Sequence, residues 1–146
     1  MDVAEALEFV RANHRAVMAT TRADGHAAMS PIACTVDDEG KVVVSTRETA
    51  MKVKHIEREP HVAICVLNDG FFGEWVQVEG RAEVVHLPDA MDGLVEYYRS
   101  ISGEHPDWDE YREAMRRQGK SLIRVTIDDW GPIATGGFPP DRAPTG

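Results

Sequence analysis

The sequence predicts an α+β domain in which a barrel-like sheet is surrounded by segregated helices. Three observations predict it. β-branched or alternating runs recur six times and are joined mostly by hairpin-type turns. Amphipathic helical patterns cluster at the start of the chain and before the last run, rather than alternating with the strands. The length of 146 residues suits one core, with residues 1–130 as the domain and 131–146 as a Gly/Pro-rich tail.

The elements follow in order. Val3, Ala6, Leu7 and Val10 recur at helical spacing behind Asp2, a good cap, so 3–12 is predicted as a helix. Strands are predicted at 15–21 and 27–36, joined by Asp24-Gly25, the strongest hairpin signal in the chain. Ser30-Pro31 falls inside the second strand, so that strand belongs at an edge or a bulge. A third strand is predicted at 41–46, then a short helix that Pro60 stops. The run 61–67 is nearly all apolar and reads as a central strand. Beyond Asn68-Asp69-Gly70, residues 75–86 alternate apolar and polar, with Gly80 as a candidate bulge. A helix is expected to open at Leu87-Pro88-Asp89, with Met91, Leu94, Val95 and Tyr98 on one face. Another opens at Pro106-Asp107 and ends at Gly119, its acids first and its bases last, as the helix dipole favours. Residues 121–127 form the sixth strand, and Gly136-Gly137-Phe138-Pro139-Pro140 belongs to an extended tail.

A net charge of −9 argues against a general nucleic-acid binder or an anionic-membrane binder, while leaving room for a local basic site. Cys34 and Cys65 sit in apolar runs without metal-ligand spacing and read as buried free thiols in a reducing compartment. The acidic opening Met1-Asp2-Val3-Ala4-Glu5 is unlike a secretory leader, and no run has the length of a membrane span, so a cytoplasmic protein is expected. The six histidines show neither metal-ligand spacing nor a nucleophile motif, and no dinucleotide or Walker-type glycine loop is present. Helix capping and a solvated face account for the acids between Glu104 and Glu113. No metal site and no catalytic acid–base pair is expected.

The stretch Ser45–Ile56 carries the chemistry. Two hydroxyls, Ser45 and Thr46, end a strand, and Arg47, Lys52 and Lys54 lie on the turn and helix that follow. Hydroxyls, free N–H groups and cations at a helix start suit a phosphate. A solvated connecting helix would use the same residues. Phe71, Phe72 and Trp75 stand near glycines at a strand start, where core and pocket rim are comparable readings.

With these residues in view, the chain resembles a known family over roughly residues 5–130. The blocks that carry the resemblance run from Ala12 to Gly25, Met29-Ser30-Pro31, Ser45 to Lys52, Phe71 to Gly80 and Ile101 to Met115. Together they look like the actinobacterial deazaflavin-dependent branch of the FMN-binding split β-barrel, or pyridoxamine-phosphate-oxidase-like, superfamily. The resemblance implies a six-stranded split β-barrel that forms a homodimer, with two equivalent cofactor sites at the interface. It implies coenzyme F-420, a 5-deazaflavin bearing a phosphate and an oligoglutamate tail. Ser45–Lys54 then matches the phosphate-binding loop, with Lys52 at the matching lysine, and Ser30, Pro31 and Ile32 match the strand beside the ring. Met51, Phe72, Trp75 and Gln77 fall in the same blocks and join the expected cofactor-binding residues. Ala50 stands where many relatives carry arginine, so either Arg47 or Lys54 compensates or phosphate affinity is reduced.

Two functional classes follow. As an oxidoreductase, the protein would move a hydride between the deazaflavin and an unsaturated or oxidised small-molecule substrate, the cofactor supplying the chemistry. As a binding module, it would hold a flavin-like molecule without turnover. FMN in place of coenzyme F-420 is the alternative cofactor.

Overall fold

The computed structural model of the chain describes residues 1–135. The expected run Gly136–Pro140 therefore lies outside the described residues. The described residues hold four helices: α1 (Val3–Ala12), α2 (Met51–Arg58), α3 (Met91–Ser102) and α4 (Trp108–Gln118). They surround the strands β1 (Arg15–Thr21), β2 (Ala27–Ala33), β3 (Thr35–Val36), β4 (Val42–Arg47), β5 (His61–Leu67), β6 (Glu74–Val85), β7 (Lys120–Trp130) and β8 (Ala134–Thr135). The sheet is antiparallel, in the order β2-β1-β5-β6-β7-β4-β3, and β8 pairs with β6.

The sequence predicts six strands, and the described residues hold eight. The run 27–36 breaks at Cys34, whose N–H donates to the carbonyl of His14 at 2.9 Å. Before the break the run pairs with β1 (Ala33 opposite Arg15), and after it with β4 (Thr35 opposite Val43). One kinked segment thus supplies both ends of the strand order, and the sheet curls back on itself, consistent with a split barrel. The second addition is β8, where Ala134 and Thr135 pair with Trp75 and Glu74. Pro31 does lie on an edge strand, where its missing N–H does not interrupt ladders on two sides.

The inner face of the curl is the core. Met18, Ile64, Val66, Val76, Val78, Val42, Val44, Ile123 and Val125 meet there, and Ala6, Phe9 and Val10 of α1 pack against them. Asp2 caps α1 by accepting the Glu5 N–H at 3.0 Å. A second cluster lies on the other side of β4 and β7, where Val43 and Leu122 meet Leu94 and Val95 of α3 and Tyr111 and Met115 of α4. Asp107 caps α4 through the Glu110 N–H, and Gly119 closes it in the left-handed region at φ +63°. The β6–β7 register does shift at Gly80, but the extra residue is Asp128 of β7, so the irregularity lies opposite the glycine rather than in it. A Cβ on Gly80 would stand 2.0 Å from the carbonyl oxygen of Thr126, so only glycine lets the two backbones approach.

Two expectations need correction. Helix α3 begins at Met91 rather than at Pro88, because 86–90 closes as its own turn, with the Ala90 N–H donating to the His86 carbonyl. Cys34 is fully buried, and burial pushes its thiol pKa up to about 12. Cys65, however, is only half-buried, because β5 alternates and Cys65 falls on its outer side between Ile64 and Val66. None of the described helices is long and apolar enough to cross a membrane.

Candidate basic corner and outer sheet face

The β4–α2 junction forms a tight corner. The Ala50 N–H donates to the Arg47 carbonyl at 3.0 Å, and α2 starts at the next residue. Ala50 offers no side-chain cap, so the first-turn N–H groups of α2 have no side-chain acceptor. Such an end, with its positive dipole, is suited to an anion. An eight-residue helix is marginal alone, so α2 depends on its buried Val53, His55 and Ile56.

Polar ties fix it further. His55 Nδ1 and Thr20 Oγ1 of β1 share a buried hydrogen bond of 2.8 Å. Arg58 donates to the Thr21 carbonyl at 2.6 Å. On its other side, Glu57 lies 3.6 Å from His86 Nε2, and His86 Nδ1 is hydrogen-bonded to Ser121 at 2.9 Å. Residues 52, 55 and 56 share one helix face, so the bond from His55 to β1 also sets where the stem of Lys52 lies.

Lys52 is half-buried, and burial pulls its ammonium pKa below the usual 10.5. Arg47 and Lys54 are exposed. Across from Arg47, in register on β7, stands Lys120. Its pKa is also lowered, by burial first and by Arg47 second. Among the described residues, none of these four cations makes an ion pair with a carboxylate. Lys120 is the residue the sequence reading missed as part of this corner. Its neighbour Gly119 marks a helix end, and only the β4–β7 register brings Lys120 beside Arg47.

Strand alternation divides the remaining candidates. Ser45 and Arg47 share one side of β4, whereas Thr46 turns into the core opposite Ser121 and is 6% exposed. Ser30 and Ile32 face inward with Met18 and Ala16, while Pro31 faces outward. The outward row runs Pro31, Val17, Cys65, Gln77 across β2, β1, β5 and β6. Pro31 and Gln77 are thus three interstrand steps apart, roughly 14 Å. Neighbouring rows hold Met29, Ala19 and Ala63, and Leu67 beside Trp75. Phe71 and Phe72 stack edge-on at the β5–β6 tip and are exposed, and Met51 is exposed at the start of α2. The structure therefore places Ser45, Arg47, Met51 and Lys52 at one corner, Lys54 on another side of α2, and Pro31, Trp75 and Gln77 on one outer face.

A cavity of about 470 Å³ lies away from these residues, between α3 and β3, β4 and β7, and is lined by Asp37, Asp89, Asp92, Glu96, Tyr97 and their neighbours. The phosphate end of a flavin-type cofactor fits the basic corner. Its ring would rest on an open surface of a single chain.

A curled antiparallel sheet, completed by a kinked edge segment and followed at β4 by a basic helix start, defines a split-barrel-like protein of the class that holds flavin-type cofactors. The chain belongs to the pyridoxamine 5'-phosphate oxidase family, whose model matches residues 3–134. Solved structures share the fold. A conserved hypothetical protein from Mycobacterium tuberculosis is 22% identical, with a TM-score of 0.72, covering 89% of this chain and 82% of that one. A structure titled as an F-420 reductase is 18% identical, with a TM-score of 0.65, covering 85% and 94%. A heme storage protein from Vibrio cholerae is also 18% identical, with a TM-score of 0.68, covering 93% and 98%.

Proposed function

We propose that this protein is a coenzyme F-420-dependent oxidoreductase that works as a cytoplasmic homodimer on a small organic substrate. The observation that carries the reading is the β4–α2 corner, where Arg47, Lys52 and Lys54 stand without carboxylate partners among the described residues, beside an uncapped helix start. In a chain with 25 acids against 16 lysines and arginines, cations left unpaired at one place suit an external anion. When bound, the deazaflavin supplies hydride transfer at its C5. The chain's own residues hold and position it. Lys52 takes the phosphate, Ser45 adds a hydroxyl, and Arg47 and Lys54 add charge in place of the arginine that Ala50 lacks. Thr46 contributes through the β4 wall rather than through its buried hydroxyl.

The homodimer reading rests on the outer sheet face. Val17, Ala19, Pro31, Ala63, Cys65 and Leu67 share this face, bordered by Arg15 and Glu79, and a second copy laid there would turn an open surface into a cleft. Phe72 and Trp75 then line the cleft. The block from Ile101 to Met115 and the structure titled as an F-420 reductase favour the deazaflavin. FMN is the second reading, favoured by Ala50, which weakens the case for the longer anionic ligand. Absorption titration of purified protein with each cofactor, followed by turnover of the reduced form with candidate substrates, tests the proposal. Saturable binding of coenzyme F-420 with turnover supports it, FMN binding alone favours the second reading, and binding without turnover leaves a carrier protein.

A further inference from the structure

We propose that Arg47 and Lys120 form a second anion-binding subsite that takes a carboxylate or phosphate group beyond the one held at Lys52. The inference rests on the reading of the β4–α2 corner given under Proposed function. Arg47 and Lys120 are direct cross-strand partners in the β4–β7 register. Like charges placed directly opposite are destabilising, by up to about 1 kcal/mol. A carboxylate on either strand would remove that cost, and neither cation has one within ion-pair reach among the described residues.

The nearest acid in sequence is Glu48, whose carboxylate makes no ion pair with either cation among the described residues. Its N–H donates to the Gly119 carbonyl at 2.8 Å, and its carboxylate lies over Gly119, 3.1 Å from where a Cβ would stand. That bond staples the β4–α2 corner to the α4–β7 corner and fixes Lys120 beside the loop. Burial and the neighbouring guanidinium both lower the Lys120 pKa, the response of an ammonium that lacks a counter-charge. The C-terminal dipole of α4 would attract Lys120 alone. It is already complemented by Arg116 and Arg117 in the last turn, and it gives no reason for Arg47, which is not on that helix. Ser45, two residues before Arg47 on the same side of β4, adds a hydroxyl.

The ligand class is therefore a molecule with two anionic groups set apart. Coenzyme F-420 carries a phosphate and tail carboxylates, and FMN carries a phosphate only. Calorimetric titration of both into wild type, Lys120→Gln, Lys120→Arg and Arg47→Gln tests the subsite. Lys120→Gln should weaken coenzyme F-420 by roughly ten-fold or more, as expected for a lost charged hydrogen bond, and Lys120→Arg should restore most of it. In Lys120→Gln, loss confined to coenzyme F-420 assigns the pair to the tail carboxylates, and equal loss for FMN merges it with the Lys52 phosphate site and overturns a second subsite. Arg47 is exposed, so Arg47→Gln keeps the test readable if Lys120→Gln fails to fold. Unchanged binding in both glutamine variants overturns the subsite while leaving the Lys52 corner intact. Wild type that binds neither ligand overturns the corner reading itself.

Discussion

His55 and Thr20 join α2 to β1 through a hydrogen bond of 2.8 Å that is closed off from solvent, with both residues less than a tenth exposed. No other described hydrogen bond serves either side chain. Thr20→Val leaves the imidazole unsatisfied, and His55→Leu leaves the hydroxyl so, each costing about 1–3 kcal/mol. The double variant should cost less than the sum of the two, because both polar partners leave together. Urea unfolding of the three variants measures this coupling, and strict additivity would show that the bond does not form. Since His55 and Lys52 share a helix face, the single variants should also weaken phosphate-ligand affinity beyond any change in stability.

Lys52→Ala removes the central cation of the corner. The loss expected is roughly ten- to 150-fold in affinity for coenzyme F-420, with the fold nearly unchanged. Arg47→Ala should be more costly here than in relatives with arginine at the position of Ala50. Titration calorimetry decides the matter: wild-type affinity in Lys52→Ala would place the phosphate elsewhere.

The same lysine gives binding a pH dependence. Burial holds the folded-state pKa of Lys52 below the usual 10.5, and a bound phosphate favours the charged ammonium. Affinity is therefore fully present below the lowered pKa and falls as pH rises through it, earlier than an ordinary exposed lysine would require. Lys120, lowered in the same direction, adds to the fall. Titrations across the alkaline range in wild type and Lys52→Ala check it, and the variant should show a shallower decline.

Local signals made much of this fold legible. Asp2 before an amphipathic run, Asp24-Gly25 between two strands, and Asp107 and Gly119 around α4 each act through neighbouring backbone groups, so sequence order alone places them. A shift near Gly80 was legible only as a glycine in an alternating run, whereas its seat at Asp128 of β7 depends on the pairing. The break at Cys34 was not legible, because it depends on the carbonyl of His14, twenty residues away, and on two different partner strands. Lys120 was missed for a related reason: cross-strand register is a tertiary fact. The cations of 47–54 were legible as a group, whereas their lack of carboxylate partners emerged only from the packed structure.

Close backbone approach makes Gly80 a sharp test of the β6–β7 pairing. Gly80→Ala would drive a Cβ to 2.0 Å from the Thr126 carbonyl oxygen and 2.8 Å from its carbon, both backbone atoms that cannot rotate away. The strands must separate or the bulge must shift, so a loss of about 1–3 kcal/mol or more is expected. At Gly25 a Cβ meets nothing within 4 Å, and the cost comes only from φ +84°, about 1–2 kcal/mol. Thermal melts of the two variants should therefore show Gly80→Ala as the more damaging.

The outer sheet face supplies the last prediction. Ala19 and Ala63 are cross-strand partners near its middle, flanked by Met29, Val17 and Cys65, and side chains there point away from the core. Ala63→Glu leaves the inner packing of Val62 and Ile64 untouched, so the monomer's fold should survive. In a homodimer built on this face, the added carboxylates meet near the two-fold axis beside Glu79, the β6 partner of Ala63, where unpaired like charges are costly. Light scattering at micromolar concentration should give a dimer for wild type and a monomer for Ala63→Glu, with cofactor affinity lost alongside. A wild-type monomer, or an Ala63→Glu variant that stays dimeric, would remove this face from the assembly. Trp75→Ala separates the cleft from the core on the same plan: a specific drop in cofactor affinity with little change in melting temperature places the indole in the cleft, whereas a large drop in melting temperature alone places it in packing.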